Sequence, residues 1–206
     1  MRTQTLIRSS LVLIIVAGQF LAACSPFVAP APTPSAPLVK APDSVANAPA
    51  PMPTITPEWF DWFNMKMTDV NTGQTFTIND FKGKVVLLET MAIWCPNCII
   101  QGTQVKKLRE ALGNPEDLIS ITLDVDSHED EAALKEYASS YRLDWHFAVA
   151  PLLVERALGN LYSAEYLNPP LSPMLIIDRN GNVHQLEYGA KTSAKLQELV
   201  KPYLQQ

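Results

Sequence analysis

The distribution of proline divides this 206-residue chain into a segment that cannot build a packed core and a segment that can. Ten of the seventeen prolines lie in residues 26–57, together with seven alanines and only two charged residues. Proline at this density removes backbone donors and favours extended, polyproline-like conformations. We therefore predict a disordered, semi-rigid tether over residues 24–57, with a spacer role favoured over binding to a proline-recognition module. The folded domain is predicted to span residues 58–206.

The predicted domain is acidic and large enough for one hydrophobic core. The whole chain is 47% hydrophobic with a formal net charge of −5, and residues 58–206 alone carry 13 basic and 20 acidic side chains. Because no basic surplus is available to neutralise phosphates, we predict no nucleic-acid partner. Three cysteines are too few for a disulfide-stapled scaffold. From the length of the predicted domain we expect one hydrophobic core, and we expect the protein to be a monomer.

The N-terminus has the layout of a secretory signal, in which two arginines precede an apolar run over residues 11–17. The string Leu-Ala-Ala-Cys that ends at Cys24 resembles the lipobox of bacterial lipoproteins, whose cysteine is acylated and becomes the mature N-terminus. We therefore predict a lipoprotein signal peptide over residues 1–23 and lipidation of Cys24. The alternatives are a chance cysteine and an uncleaved anchor, although the apolar run is shorter than the roughly 20 residues of a spanning helix. Either form of anchor places the domain on the extracytoplasmic face of a bacterial membrane.

The remainder of the chain alternates between segments typical of strands and segments typical of helices. Continuous apolar runs indicate strands buried on both faces, and apolar residues at helical spacing indicate helices. Turn signals at residues 71–73 and at Asn180-Gly181 predict two hairpins. The predicted strands cover residues 65–70, 74–78, 84–90, 118–125, 145–149, 174–177 and 183–188, and the predicted helices cover 97–112, 129–141, 152–161 and 192–204. This order predicts an α/β fold, with a central mixed β-sheet flanked by helices and an N-terminal β-hairpin extension.

One motif can carry chemistry, because Trp94-Cys95-Pro96-Asn97-Cys98 lies between a predicted buried strand and a predicted helix. Two cysteines at this spacing can form a disulfide across the first helical turn, where the amides and the helix dipole stabilise a thiolate. Thiolates are the nucleophiles of disulfide exchange, so redox chemistry is favoured. An inert disulfide and a metal site are the alternatives, but structural zinc usually takes four ligands and the three histidines are scattered singly. We predict no metal and no cofactor.

Further segments extend the pattern around this motif. The first, residues 80–88, is Asp-Phe-Lys-Gly-Lys followed by an apolar strand, and the second is Leu-Asp-Val-Asp at 123–126. The third, residues 172–181, begins with Ser-Pro and continues with an apolar strand, an aspartate and an Asn-Gly turn. With the cysteine motif, they resemble the thioredoxin superfamily and, within it, the membrane-tethered TlpA/ResA-like thiol–disulfide oxidoreductases. The resemblance covers roughly residues 62–204 and implies a thioredoxin-like fold.

The resemblance also implies roles for individual residues and partners. Cys95 attacks, Cys98 resolves the mixed disulfide, and Pro173 is a cis-proline that faces the pair. The residues that flank this active site are Trp94, Pro96, Asn97 and Ser172. In relatives, the partners are protein thiols or disulfides, including apocytochrome c and other secreted proteins, and a membrane reductase is the electron donor.

The sequence departs from these relatives at two acidic positions. Glu89 stands where the subgroup often has asparagine and thioredoxins have a buried aspartate, so it is a candidate proton acceptor for Cys98. The alternative is a glutamate whose carboxylate reaches solvent at a strand end. Gln101 stands where some relatives have glutamate, so the role of that glutamate is absent here or has passed to Glu89.

The competing function is a non-catalytic binding protein, such as a metal or copper carrier or an adaptor.

Overall fold

In the computed structural model, which describes residues 62–206, helices cover both faces of a five-stranded sheet. The strands are β1 (Met67–Thr68), β2 (Thr75–Phe76), β3 (Val85–Met91), β4 (Leu118–Asp124), β5 (His146–Val149), β6 (Met174–Ile177) and β7 (Val183–Gln185). The α-helices are α1 (Pro96–Ala111), α2 (Glu131–Tyr141), α3 (Leu152–Leu161) and α4 (Ser193–Leu204). Short 3-10 helices occupy Ile78–Phe81, Ala164–Leu167 and Pro169–Leu171.

The order of strands in the main sheet is β5-β4-β3-β6-β7. β3, β4 and β5 are parallel, whereas β6 is antiparallel to β3 and β7 is antiparallel to β6. The carboxyl ends of the three parallel strands therefore meet the start of β6 at one edge. We call it the carboxyl edge, and it is formed by Met91, Asp124, Val149 and Met174. The mixed sheet, its helices and the β1–β2 hairpin confirm the predicted fold class.

Every residue of β3 is buried, because helices cover both faces of the sheet. Successive side chains of a strand point to opposite faces, and Val85 and Leu87 accordingly pack with residues of α1 and α4. Val86 and Leu88 pack with residues of α3 on the other face. The same alternation directs Glu89 to the α1 face.

The described domain begins at the opposite edge, which we call the amino edge. Phe63 lies beside Gly181, in the turn that joins β6 to β7. Gly181 has a φ of +86°, a left-handed conformation that glycine adopts without strain. The buried Trp62 stacks edge-on against Tyr162 at the end of α3, with ring centroids 6.3 Å apart. Because α3 starts after β5 and runs back along the sheet, both contacts lie away from the carboxyl edge.

Most predicted bounds agree with the structure to within two residues, and Leu152–Leu161 and Met174–Ile177 agree at both ends. The strands predicted over residues 65–70, 74–78 and 183–188 are shorter in the structure. β2 stops at Phe76 because the Asp80 carboxylate accepts a hydrogen bond from the Thr77 amide at 2.7 Å, which starts a 3-10 helix.

The predicted signal peptide, the lipidation of Cys24, the tether and the first residues of the predicted domain lie outside the described residues. Within residues 62–206, no helix is both long enough and apolar enough to cross a membrane.

Candidate active site

The two cysteines of the motif lie on the first turn of α1, shortly after the carboxyl end of β3. Cys95 is the N-cap, and its sulfur accepts a hydrogen bond from the Cys98 amide at 3.3 Å. Pro96 takes the first helical position, where a helix needs no amide donor. Both cysteines are free thiols. The helix end therefore directs an amide at the Cys95 sulfur, an arrangement that favours negative charge on that sulfur.

The pair is covered by the segment before β6. Cys95 is 0% exposed and Cys98 is 6% exposed. The Cys98 thiol donates a hydrogen bond to the Pro169 carbonyl at a sulfur–oxygen distance of 3.7 Å. Asn97 donates from its side-chain amide to the Pro170 carbonyl at 2.8 Å. The 3-10 helix that carries both prolines is thus tied to the first turn of α1, so a disulfide from outside reaches Cys95 only after neighbouring atoms move.

Glu89 lies inside β3 and not at its end, because β3 continues to pair on both sides, with Thr122 of β4 and Met174 of β6. This position agrees with the strand predicted over residues 84–90, and burial of Glu89 contradicts the alternative of a carboxylate that reaches solvent at a strand end. Its Oε1 accepts a hydrogen bond from Thr122 Oγ1 at 2.7 Å, and Thr122 Oγ1 accepts one from Trp145 Nε1 at 2.9 Å. Burial raises the pKa of Glu89 to about 7, against the opposing effects of the Thr122 hydrogen bond and the Lys191 charge.

The Cys98 thiol has a strongly raised pKa. Burial is the largest cause, and the hydrogen bond and charge of Cys95 and the charge of Glu89 act in the same direction. Cys98 therefore keeps its proton at neutral pH, when Glu89 is close to half ionised. A carboxylate with a pKa near the working pH is suited to take a proton from such a group.

Pro173 is buried directly before β6, and its carbonyl accepts a hydrogen bond from the Thr90 amide at 3.2 Å. Ser172 before it is buried and has a φ of +47°, the left-handed region that a non-glycine residue rarely adopts. Within the described part of the chain, Ser172 Oγ has no hydrogen-bond partner. Backbone strain and an unpaired buried hydroxyl both occur preferentially at functional sites. The cis geometry of Pro173 stays a prediction.

The loop between β3 and α1 is held from the end of β4. Trp94 is 58% exposed, and its indole Nε1 donates to Asp126 Oδ2 at 2.7 Å. Hydrogen bonds from the His128 amide and the Trp94 indole lower the pKa of Asp126 to about 2. The Ile93 amide donates to Glu129 Oε2 at 2.8 Å. The motif therefore rests on two carboxylates; the sequence analysis quoted Asp126 only within the Leu-Asp-Val-Asp string and did not name Glu129.

A third carboxyl group lies beneath them. Asp124, the last residue of β4, is fully buried and accepts a hydrogen bond from the Asp126 amide at 3.0 Å. Burial, with a smaller contribution from the Glu129 carboxyl group, raises the pKa of Asp124 to about 8. Within the described residues, Asp124 Oδ2 is buried without a hydrogen-bond partner, and the Glu129 carboxylate accepts from the Ile93 amide of the loop.

The structure brings the predicted site residues among residues 62–206 together at the carboxyl edge, and Cys24 lies outside the described residues. Lys191 was also missed, and its contact gives Gln101 a structural role that the sequence analysis did not assign. Lys191 is buried, and the side chain of Gln101 on α1 hydrogen-bonds to its backbone. No local pattern marks this contact, because the two residues are 90 positions apart. Within residues 62–206, no group of three or more histidine, cysteine, aspartate or glutamate side chains could hold a metal ion.

Comparison with known proteins agrees with this geometry. Residues 46–200 match the Redoxin family. The chain is 28% identical to thiol-disulfide oxidoreductase ResA of Bacillus thuringiensis subsp. konkukian over 138 residues, which are 67% of this chain and 73% of that protein. It is 22% identical to the thioredoxin-like protein YneN of Bacillus subtilis over 127 residues, 62% of this chain and 69% of that protein.

Solved structures share the fold. A thiol:disulfide interchange protein of the thioredoxin family from Chlorobium tepidum TLS superposes with a TM-score of 0.55 at 19% identity, covering 68% of this chain and 92% of that chain. The dsbF structure from MTB gives a TM-score of 0.55 at 15% identity, covering 69% and 96%. These likenesses make the fold thioredoxin-like. The family match spans most of the sequence, and the chain belongs to the Redoxin family.

Proposed function

We propose that this thiol–disulfide oxidoreductase exchanges a disulfide between Cys95 and Cys98 with protein partners, through a mixed disulfide on Cys95. The observation that carries the proposal is the placement of two free thiols on the first turn of α1, with the Cys95 sulfur accepting the Cys98 amide. The neighbouring Glu89 carboxyl group supports it, because its pKa is raised to about 7 and its charge acts on the Cys98 thiol.

The exchange proceeds in two displacements. The Cys95 thiolate attacks a partner disulfide, a Cys95–partner bond forms, and one partner sulfur leaves as a thiolate that takes a proton from water. The Cys98 proton then passes to the Glu89 carboxylate, and the Cys98 sulfur attacks the Cys95 sulfur. The Cys95–partner bond breaks as the Cys95–Cys98 bond forms, so the pair is oxidised by two electrons and the partner is reduced by two. The same steps in reverse oxidise a partner dithiol.

The residues around the pair shape the approach of the partner. The exposed indole of Trp94 offers an apolar contact beside the helix end. The backbone of Ser172 and Pro173 can pair with a partner segment next to the sulfur atoms. Because proline has no backbone N–H, Pro173 adds no amide that competes for the partner's carbonyl groups. Pro96 and Asn97 between the cysteines set the approach of the two sulfurs and the contact with the covering segment.

The proposal includes an extracytoplasmic location. The lipobox-like string supports acylation at Cys24, and the proline-rich residues after it support a tether that holds the domain off the membrane. The partners are then secreted proteins with cysteine pairs, apocytochrome c among them, and a membrane reductase supplies electrons. The protein acts as a monomer without a metal or cofactor.

The test is capture of the mixed disulfide. Cys98→Ser leaves the attacking thiol in place and removes the resolving thiol, so partner proteins should accumulate in covalent complexes that reducing agent releases. Cys95→Ser is the matched control and should capture none. If Cys95→Ser captures partners and Cys98→Ser does not, the assigned roles are reversed.

A further inference from the structure

A chain of two hydrogen bonds reaches the Glu89 carboxyl group from β4 and from the residue before β5. Trp145 Nε1 donates to Thr122 Oγ1 at 2.9 Å, and Thr122 Oγ1 lies 2.7 Å from Glu89 Oε1. Both lengths are typical of well-formed hydrogen bonds. Thr122 pairs with Glu89 in the sheet, so both side chains lie on the α1 face. All three side chains are buried, and water therefore does not compete for their polar groups.

The available donors and acceptors fix the direction of this chain. The indole of tryptophan can only donate, so Thr122 Oγ1 must accept from Trp145. The Thr122 hydroxyl has a single proton, and Glu89 Oε1 is the acceptor beside it. If Glu89 instead donated from Oε1, the hydroxyl proton would lose this acceptor inside a buried site, which is costly. Oε1 therefore stays an acceptor whether Glu89 is ionised or protonated.

This direction decides which oxygen of Glu89 takes a proton. In a protonated carboxyl group the carbonyl oxygen is the stronger acceptor, so the proton settles on the oxygen that Thr122 does not hold, which is Oε2. The same hydrogen bond favours the ionised form. Burial raises the pKa of Glu89 to about 7, and the Thr122 hydroxyl is the largest of the effects that lower it.

Elements outside the exchange site hold Trp145 in place. Its carbonyl accepts a hydrogen bond at 2.6 Å from the side chain of Asn71, in the turn between β1 and β2. Its ring centroid lies 5.4 Å from that of Phe147 and 5.8 Å from the guanidinium carbon of Arg109. Such ring contacts are attractive and restrict rotation of the indole. The donor that orients the Thr122 hydroxyl is therefore fixed independently of the thiols.

Other titratable groups that act on Glu89 come from three further segments. They are Cys98 of α1, Tyr137 of α2 and Lys191 before α4. Burial raises the pKa of both Cys98 and Tyr137, so both are neutral near pH 7, whereas the Lys191 charge favours the carboxylate. The neighbour of Glu89 on β6 is the uncharged Met174. A change at Thr122 leaves the charges of all these side chains as they are.

We propose that Thr122 and Trp145 are positioning residues of the exchange site. Their hydrogen bonds orient the Glu89 carboxyl group so that Oε2 takes the proton of Cys98. The inference rests on the proposed function, in which Glu89 is that proton acceptor. In the second displacement the proton moves from the Cys98 sulfur to Oε2, and the sulfur attacks Cys95. The partner sulfur leaves with the electron pair of the broken bond, and the Thr122 proton stays on its own oxygen.

The test follows the second displacement in the reduced full-length protein. An equimolar amount of 5,5′-dithiobis(2-nitrobenzoate) is added by stopped flow, and release of the second thionitrobenzoate reports attack of Cys98 on the Cys95 mixed disulfide. Rates are measured from pH 5 to pH 10 for Thr122→Val and Thr122→Ser, each with and without Glu89→Gln. Thr122→Ala replaces the valine variant if that variant does not fold.

Ser120→Ala is the matched control. Ser120 lies two residues before Thr122 on the same face of β4 and is also buried. Within residues 62–206 its hydroxyl has no hydrogen-bond partner. This control therefore removes a buried hydroxyl from the same strand without touching the chain that reaches Glu89.

Loss of the Thr122 hydroxyl should raise the midpoint of the acid limb by about one pH unit, because the carboxylate loses a hydrogen bond. About a tenth of Glu89 is then ionised at pH 7 instead of about a half, so release should slow about fivefold. Thr122→Ser and Ser120→Ala should keep the wild-type midpoint. With Glu89→Gln present, Thr122→Val should cause no further shift.

Infrared spectroscopy gives a readout that a purely structural role would not move. The C=O stretch of protonated Glu89 is the band at pH 5 that Glu89→Gln removes. It should move to higher frequency in Thr122→Val, because Oε1 loses its hydrogen bond, and stay in place in Thr122→Ser. Trp145→Phe should broaden the band, because the hydroxyl can then also turn away from Oε1. An unchanged band in Trp145→Phe would overturn the role of Trp145.

The pH profiles separate this inference from the function on which it rests. A Thr122→Val profile with the wild-type midpoint, or an equal shift in Ser120→Ala, overturns the inference and leaves the role of Glu89 intact. A shift that persists with Glu89→Gln also overturns it, because Thr122 would then act without Glu89. A Glu89→Gln profile that matches the wild type overturns the proton-acceptor step of the proposed function itself, and the inference with it.

Discussion

Replacing Glu89 with glutamine should make the reduced protein more stable above neutral pH while slowing exchange. The pKa of this carboxyl group is 4.5 in an unfolded chain and about 7 in the folded protein, chiefly because of burial. Between those values the unfolded chain has released the proton and the folded protein retains it. The free energy of unfolding therefore falls as pH rises through this window, by 1.36 kcal/mol per pH unit, or about 3 kcal/mol in total.

Glutamine has no proton to release and can still accept the Thr122 hydrogen bond, so this loss of stability is absent from the variant. Urea unfolding of the reduced proteins, followed by tryptophan fluorescence at pH 4.5 and pH 8, measures the difference. The free energy of unfolding of Glu89→Gln, relative to that of the wild type, should increase by about 3 kcal/mol from pH 4.5 to pH 8. Glu136→Gln, at an exposed position of α2, should show no such widening.

The same substitution should lower the rate of exchange, although it raises stability. Without the carboxylate, attack by Cys98 should slow by up to about 10²-fold near pH 7 and recover as pH rises and the thiol ionises unaided. An advantage in stability that is the same at both pH values would refute the reasoning, because Glu89 would then not titrate between them. The trade between stability and rate is expected of a buried ionisable group kept for function.

Further outcomes can be measured on single variants. Cys24→Ala should abolish the acyl mass and the partitioning into detergent; wild-type protein of unacylated intact mass would remove the proposed anchor. Asn97→Ala removes the hydrogen bond to the Pro170 carbonyl and should speed alkylation of Cys95 by iodoacetamide; an unchanged rate would show that this bond does not limit access. Asp124→Asn should stabilise the fold more at pH 9 than at pH 6, because up to about pH 8 the folded wild type retains a proton that the unfolded chain has released, and its stability falls as pH rises; equal gains in Tm would contradict this.

Local sequence patterns were sufficient for the elements that form the centre of the sheet. The apolar run that begins at Val85 and the amphipathic pattern of α3 are decided by neighbours in the chain, and both elements appear where they were predicted. The cysteine motif is also local, since its capping geometry involves residues three positions apart. These features therefore follow from periodicity and spacing alone.

The surroundings of the motif depend on contacts between distant segments, which no periodicity records. The apolar run alone left open whether the Glu89 carboxylate reaches solvent, and its burial follows from pairing with Thr122 and Met174 on the two neighbouring strands. Gln101 appeared to lack a role because its partner, Lys191, is brought to it only by the docking of α4 against α1. Burial and charge pairing at the site are therefore properties of the packed structure.

The described domain begins at the amino edge, whereas both cysteines lie at the carboxyl edge. β3 joins the two edges, and its seven residues at about 3.3 Å each separate them by roughly 20 Å. The proposed anchor and tether precede Trp62 in the chain, so any force that they transmit enters the described domain at the amino edge, opposite the cysteine pair. A partner that docks at the carboxyl edge therefore meets the described domain on the side opposite the point where the chain enters it. Changing the length of the proposed tether should alter how far the thiols reach from a membrane, but not which side of the described domain they occupy.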